Sequence, residues 1–228
     1  MLKNFDELPE QFKTDDVREY YNILKKKKVS LFFKSVIDFL LALIMTIILL
    51  PVMLIIAVII KCTSKGPVFF RQKRVGRYSK EFDIIKFRTM RTDAEKIGAQ
   101  ITVGERDPRI TSIGYFLRKY RLDELPQLFN ILLLQMSFVG ARPEVPRYVA
   151  EYKNDYIATL LIRPGITGYA SIRFKDENEI LGKEENPEKA YIEKIIPIKM
   201  GLDLEYVKEL SVFTDIKTMF KTVIEVIK

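Results

Sequence analysis

Phe39 to Ile60 reads FLLALIMTIILLPVMLIIAVII, 22 residues without a charge, interrupted only by Thr46 and Pro51. At ~1.5 Å per residue a straight helix of this length reaches about 33 Å, enough to cross the hydrocarbon core of a bilayer. A helix packed into a soluble core shows a polar stripe. This run shows none, and it belongs in lipid. A cleaved signal peptide does not fit. The run starts late, follows the acids Asp6, Glu7, Glu10, Asp15 and Asp16, and has no small-residue cleavage site.

The flanks decide the topology. Lys25, Lys26, Lys27, Lys28 and Lys34 precede the run, and Lys61, Lys65, Arg71, Lys73, Arg74, Arg77 and Lys80 follow it, with no acid between 61 and 80. Lys/Arg-rich flanks stay in the cytoplasm, so a through-going span would export one set. A re-entrant helix broken at Pro51, entering and leaving by one face, keeps both inside. An ordinary kinked span is the alternative, since proline is common in such helices. Lys34 and Asp38, one turn apart, can pair where the helix enters.

The 228 residues carry 38 Lys+Arg against 30 Asp+Glu, no His, no Trp and one Cys, Cys62. Without His there is no Ser-His-Asp or Cys-His relay and no His-based metal site. One Cys excludes internal disulfides and cysteine-cluster zinc, and fits a reduced compartment. Catalysis must then draw on carboxylates, Lys/Arg, hydroxyls, Tyr or a hard oxygen-bound metal. The net charge of +8 suits an anionic partner: nucleic acid, acidic lipid or a phosphorylated small molecule. A merely solvated basic surface fits equally well.

Elsewhere, residues 1–30 form a polar, basic extension with an amphipathic stretch from Asp15 to Leu24 suited to anionic headgroups. Val68–Gln72 and Phe82–Phe87 read as strands joined by a basic loop that turns at Gly76. Residues 89–111 look irregular, and helices are expected over Ile113–Tyr120 and after Asp123. Residues 173–195 look charged and exposed, and helices over Leu202–Val207 and Asp215–Ile227 close the chain. The expected architecture is a compact α/β catalytic unit (61–228) on a membrane helix (31–60), with interfacial amphipathic helices.

The richest segment is Arg121-Leu122-Asp123-Glu124-Leu125-Pro126-Gln127-Leu128-Phe129-Asn130. Leu125, Leu128, Phe129 and Leu132 form one helical face, and an Asp before it with Pro in the first turn marks a helix start. Free amides and the helix dipole there favour anions, holding Asp123 ionised or receiving a phosphate. Plain capping needs the same residues. Arg118 and Arg121 just upstream turn the acid pair into a candidate site. Lys86 and Arg88 alternate onto one strand face, where paired cations can hold a diphosphate. Arg142, before Pro143, and Arg163, before Pro164-Gly165, sit in rigid turns that suit anion recognition.

Together these stretches resemble the bacterial sugar transferase family, the small monotopic phosphoglycosyl transferases. The motifs are Lys34-Ser35-Val36-Ile37-Asp38, Gly66-Pro67-Val68-Phe69-Phe70-Arg71-Gln72, Lys86-Phe87-Arg88-Thr89-Met90, and Leu122 through Asn130. Met136-Ser137-Phe138-Val139-Gly140-Ala141-Arg142-Pro143, Arg163-Pro164-Gly165-Ile166-Thr167-Gly168 and Asp203-Leu204-Glu205-Tyr206-Val207 complete them in order. The resemblance implies a re-entrant helix, a catalytic domain on the cytoplasmic face of the bacterial inner membrane, and a catalytic Asp123–Glu124 dyad with Mg²⁺ on the same two carboxylates. It implies that Asp123 attacks the sugar-bearing phosphate of a UDP-sugar, expelling UMP. Polyprenyl (undecaprenyl) phosphate then takes the sugar phosphate, beginning polysaccharide or glycoconjugate assembly. Lys86, Arg88, Arg118 and Arg142 are the implied phosphate contacts, with Asp203 in support. The implied partners are the UDP-sugar, the polyprenyl phosphate and inner-membrane lipids; nucleic acid is not expected, and a homodimer stays open.

Two features depart from the family. Ser171 stands where Gln is frequent, and Ile172-Arg173-Phe174-Lys175 replaces the usual aromatic, Asn and Gly residues, so the sugar cannot be carried over. The extra upstream membrane helices of larger relatives are not found in this sequence, which reads as the minimal form. The competing reading is a non-catalytic, membrane-tethered basic module for anionic lipid or nucleic acid. It predicts binding that weakens steeply with salt and ignores Asp123.

Overall fold

The computed structural model describes residues 2–92, 94 and 107–227. Most of the segment expected to be irregular between 89 and 111 therefore lies outside the described residues.

Helix α1 (Asp15–Lys26) begins where the Thr14 side chain accepts a hydrogen bond from the Val17 amide, with Asp15 and Asp16 in its first turn and Lys25 and Lys26 in its last. These are the charges that the helix dipole favours. Its apolar stripe is not free for headgroups. Val17, Tyr20, Tyr21 and Leu24 are buried in the main core, together with Phe5, Leu8 and Phe12 from the turns before it. The N-terminal extension is thus a strap packed onto the domain.

Helix α2 (Lys28–Thr63) runs for 36 residues. The expected division at Pro51 is not found: the backbone stays helical through it, with the Pro51 side chain exposed. Losing one intrahelical hydrogen bond need not end a helix this long. The polar Thr46 hydroxyl is satisfied within the helix, donating to the Ala42 carbonyl at 2.7 Å. Although the sequence shows no polar stripe, burial does follow one. Lys34, Asp38, Ala42, Met53, Ile56 and Ile60 are buried and Met45 and Leu49 half-buried. That spacing repeats every eleven residues, close to the natural helical period, so the buried line stays on one side. The other faces are bare, with Ile47, Ile48, Leu54 and Val58 all exposed.

Strands β1 (Phe69–Val75) and β2 (Glu81–Phe87) pair antiparallel, with Phe69 opposite Phe87 and Val75 opposite Glu81. The turn between them holds Tyr78 and Ser79 at positive φ. Then come α3 (Ser112–Lys119), the 3-10 turn Leu122–Glu124, α4 (Gln127–Leu132), β3 (Ser137–Val139), α5 (Pro146–Val149) and β4 (Gly165–Thr167). Strands β3 and β4 are parallel, Ser137 facing Gly165. Helices α6 (Tyr169–Arg173), α7 (Glu177–Gly182), α8 (Pro187–Ala190), α9 (Ile196–Glu209) and α10 (Val212–Ile227) finish the mixed helix-and-sheet fold.

Among the described residues, three apolar clusters hold these pieces. The main one joins the N-terminal strap to β2, β3, α4 and α9. A second gathers Val145, Tyr148, Leu181, Tyr191, Ile195 and Met200. Residues 173–195 were expected to be exposed, yet they supply half of that cluster, because Leu181, Ala190, Tyr191 and Ile195 turn inward while Ile180 stays exposed. The third seats the far half of α2, through Met53, Ile56 and Ile60, on Phe87 and Leu117. Helix α10 leaves Phe213, Phe220, Val223 and Ile224 exposed, and α3 leaves Phe116 and Tyr120.

Candidate active site

The site begins with an anchor. Asn130 on α4 is fully buried; its side chain accepts from the Ile85 amide at 3.0 Å and donates to the Asp83 carbonyl at 2.8 Å. One side chain thus satisfies two groups on the open edge of β2 and locks α4 beside that strand. Phe82 and Ile84 face the core from β2, and alternation puts Lys86 on the same inward face rather than in solvent. Lys86 meets the 3-10 turn that carries the acid pair.

Within that turn Asp123 and Glu124 are both buried. Arg121 before them is left-handed, φ 56°, an uncommon conformation for a residue with a side chain, and it turns the chain sharply out of α3. Asp123 therefore does not cap α4, which begins after Pro126 and is only six residues long. The expected stabilisation by a helix start is not the one at work.

The two carboxylates are treated very differently. Glu124 Oε1 accepts from Lys86 Nζ at 2.8 Å and from Arg142, whose second nitrogen lies 3.4 Å from Oε2. Burial alone would raise the Glu124 carboxyl, but Arg142 and then Lys86 overcome it and hold it well below the usual range. Among the described residues, nothing donates a hydrogen bond to Asp123. Burial pushes its carboxyl up, opposed by Lys86, Arg118 and Arg121.

Arg142 owes its place to an interlock of glycines. The Gly140 amide donates to Thr167 and the Gly165 amide to Ala141. A Cβ on Gly165 would stand 2.2 Å from the Gly140 nitrogen, and one on Gly168 2.4 Å from the Gly140 oxygen. Only bare backbone fits there.

Lys86, Arg118, Arg121, Asp123, Glu124 and Arg142 all line one cavity of about 1430 Å³. Leu41 and Met45 of α2 form part of its wall, as do Met219 and Val223 of α10. The cavity therefore joins a charged cluster to the apolar helix.

Two of the expected residues lie elsewhere. Arg88 follows the end of β2 and turns its guanidinium to Ser64, donating to the carbonyl at 2.8 Å and the hydroxyl at 2.7 Å, off the cavity wall. The alternation that pairs it with Lys86 stops at Phe87. Asp203 is buried on α9 behind Gly168, one oxygen without a partner, its carboxyl pushed up to about 7 by burial against the pull of Lys199.

The sequence reading missed a second charged group on the same wall. Lys199 Nζ lies 2.8 Å from Glu177, 3.0 Å from the Tyr191 hydroxyl and 3.5 Å from Glu144. A lone lysine in Ile195-Ile196-Pro197-Ile198-Lys199-Met200 was the available signal, since a charge in an apolar run must be paired inside.

A divalent cation fits the donor set. Among the described residues no cluster of three or more His, Cys, Asp or Glu forms a closed cage. Magnesium does not need one, because it commonly takes one or two carboxylates and completes its shell with water and substrate phosphates. Asp123, with no donor upon it, has lone pairs to offer, and Glu124 stands beside it.

The chain shares 35% identity with an undecaprenyl-phosphate glucose phosphotransferase of Komagataeibacter xylinus, over 83% of this chain and 35% of that protein. It shares 38% with a UDP-glucose:undecaprenyl-phosphate glucose-1-phosphate transferase of Escherichia coli K12, over 86% of this chain and 40% of the relative. The chain thus spans well under half of either. It covers 96% of an exopolysaccharide production protein PSS of Rhizobium leguminosarum, at 36% identity. The profile of the bacterial sugar transferase family matches residues 29–228, and the chain belongs to that family.

Proposed function

We propose that the chain transfers a sugar 1-phosphate from a UDP-sugar to undecaprenyl phosphate, releasing UMP, as the first membrane step of a polysaccharide or glycoconjugate. The observation that carries this reading is the contrast inside the acid pair: Glu124 is clamped by two cations, while Asp123 lies undonated in a cavity walled by an apolar helix.

A buried carboxylate with no hydrogen bond keeps its electron pairs available, and burial makes it more basic than in water. An Asp123 oxygen attacks the sugar-bearing phosphorus, and the bond from that phosphorus to the UMP oxygen breaks. The sugar phosphate is left esterified to Asp123. An oxygen of undecaprenyl phosphate then attacks the same phosphorus, the aspartyl ester breaks, and Asp123 returns as a carboxylate. Lys86, Arg118 and Arg142 hold the phosphate oxygens throughout. Glu124 fixes Lys86 and Arg142 where those oxygens arrive. Magnesium, held by Asp123 and Glu124, would neutralise diphosphate charge and help UMP leave. Leu41 and Met45 give a polyprenyl chain an apolar approach.

Helix α2, though undivided at Pro51, is read as re-entrant, the proline bending it within the bilayer rather than ending it, with the domain on the cytoplasmic side of the bacterial inner membrane. Both flanks are basic, and both halves of the helix pack on the same domain: Lys34 on Asp215, and Ile56 and Ile60 in the cluster with Phe87. The exposed apolar faces of α3 and α10 suit the membrane surface.

Two experiments test the reading. The full chain is incubated with Mg²⁺, undecaprenyl phosphate and a panel of UDP-sugars, and UMP release is measured; quenched samples are mapped by mass spectrometry for a phosphosugar on Asp123. No UMP with any sugar, or an adduct on another residue, refutes the chemistry. For topology, Cys62, the single thiol, is exposed. With re-entry, Cys62 and an N-terminal tag are both shielded from impermeant reagents outside intact cells and both labelled after permeabilisation. External labelling of one alone refutes re-entry.

A further inference from the structure

A second cavity, about 100 Å³, opens beside the first turns of α2. At ~30 Å³ per water it has room for about three waters, or a small oxyanion. Lys34, Arg77 and Arg163 line it against one carboxylate, Asp38.

The polar groups here are nearly all committed. Asp38 receives the Ser137 hydroxyl at 2.5 Å and lies 3.5 Å from Lys34. Lys34 is bound to Asp215 at 2.8 Å. Arg77 donates through Nε to the Leu161 carbonyl at 3.0 Å and sits over the Tyr78 ring. Arg163 is the exception. Its half-buried guanidinium makes no hydrogen bond and no ion pair among the described residues. It stands in the Arg163-Pro164-Gly165 turn, whose charge the catalytic cavity does not use. Burial works against its charge, with only Asp38 in favour, and Arg163 in turn adds to the burial that disfavours the charge on Arg77. Two half-buried guanidiniums with no free counter-ion mark a place for an anion.

The surroundings say which kind. Phe32 lines the cavity yet is 55% exposed, and Val29, Phe33 and Val36 around it are exposed as well. A cationic pocket opening onto a bare apolar helix matches a molecule with an anionic head and a greasy tail. We propose that this cavity holds the phosphate of a membrane phospholipid, Arg163 and Arg77 donating to its oxygens while the acyl chains lie along Phe32 and Val36. The proposal rests on α2 lying in lipid, and it is independent of the chemistry at Asp123.

To test it, the full chain is purified in non-ionic detergent without phosphate, titrated with phosphatidylglycerol, and its lipid occupancy read by native mass spectrometry. Wild type is expected to retain one phosphatidylglycerol. Arg163→Gln is expected to bind about tenfold or more weakly, the loss of a charge-assisted hydrogen bond. Arg163→Lys should fall between them, because it keeps the charge without the fork. Arg147→Gln, on α5 away from the cavity, should match wild type, and Asp123→Asn should retain the lipid whatever becomes of turnover. Equal occupancy in wild type and Arg163→Gln overturns the proposal. Displacement by millimolar inorganic phosphate assigns the site to free anions, and displacement by stoichiometric undecaprenyl phosphate to the lipid substrate; either overturns the phospholipid assignment. Should Arg163→Gln lose its folded circular dichroism, Arg163→Lys and Arg77→Gln decide, and wild-type occupancy in both overturns it.

Discussion

Two charged clusters flank α2, and they differ in what is left over. At its root, Lys34, Asp38, Asp215, Ser137 and Tyr206 close on one another: Lys34 holds both acids, and the Tyr206 hydroxyl donates to Asp215 at 2.6 Å. Every charge in that group has a partner, and the surplus is a cation at its edge, Arg163. In the candidate active-site cluster, Lys86 and Arg142 are both spent on Glu124, and the acid left without a hydrogen bond is Asp123. Saturated groups fix geometry, since breaking them leaves an uncompensated charge in a poor dielectric. The unsaturated member is the one free to take a ligand or a bond. By that rule the root cluster reads as chiefly structural and the other as the candidate for chemistry.

The contrast breaks most sharply at Asp123. Asp123→Asn should cut UMP release by about 10⁴-fold, or ~5.5 kcal/mol of barrier, with the fold intact. Turnover near wild type would remove the distinction altogether. Lys34→Met should act the opposite way. It leaves Asp38 and Asp215 facing each other without their cation, at a cost of about 3–5 kcal/mol in denaturant unfolding, while turnover per folded molecule stays. Between the extremes, Arg142→Met should lose about 1.5–3 kcal/mol in kcat/KM, and Arg142→Lys should recover only part of it.

The smallest effect sharpens the electrostatic side. Burial raises the Asp123 carboxyl in the fold, against Lys86, so its ionisation costs stability as pH climbs from the unfolded value, ~3.9, through the folded one. Asp123→Asn should therefore melt higher than wild type at pH 7, by about 2–4 °C, and the gain should vanish toward pH 3. Glu124 has the reverse sign: held low, chiefly by Arg142 against burial, it stabilises above the unfolded value, ~4.3, and loses that contribution as pH falls through its folded value. Glu124→Gln should melt lower at pH 7. Calorimetry across pH 3–7 checks both.

What could be read beforehand follows from how local each signal is. The apolar run, the strand pair and the closing helices show in periodicity, and their bounds move by a few residues. The acid pair was legible as a site but not as a geometry, because Arg121 and Pro126 split the expected helix into a 3-10 turn and a short α4. Lys86 lines the cavity and Arg88 turns to Ser64 instead, for alternation holds only while the strand lasts. The burial of Phe5, Phe12 and Val17 was not legible. They are scattered among acids, and the surface that receives them comes from Asn154–Leu161 and α9, far along the chain. Lys199 stands out as a lone charge in an apolar run, but its partners were hidden for the same reason: Glu144 and Glu177 come from separate elements.

The pairing of Lys34 with Asp215 also sets a clock on biosynthesis. The two residues are 181 positions apart. At ~5–20 residues per second, α2 leaves the ribosome roughly ten to forty seconds before its acid partner exists. During that interval the newly inserted helix carries a lysine with only Asp38 to answer it, and the N-terminal strap has no α9 to lie on. The final seating of α2 on its domain therefore waits until Asp215 of α10, 181 positions after Lys34, has been made.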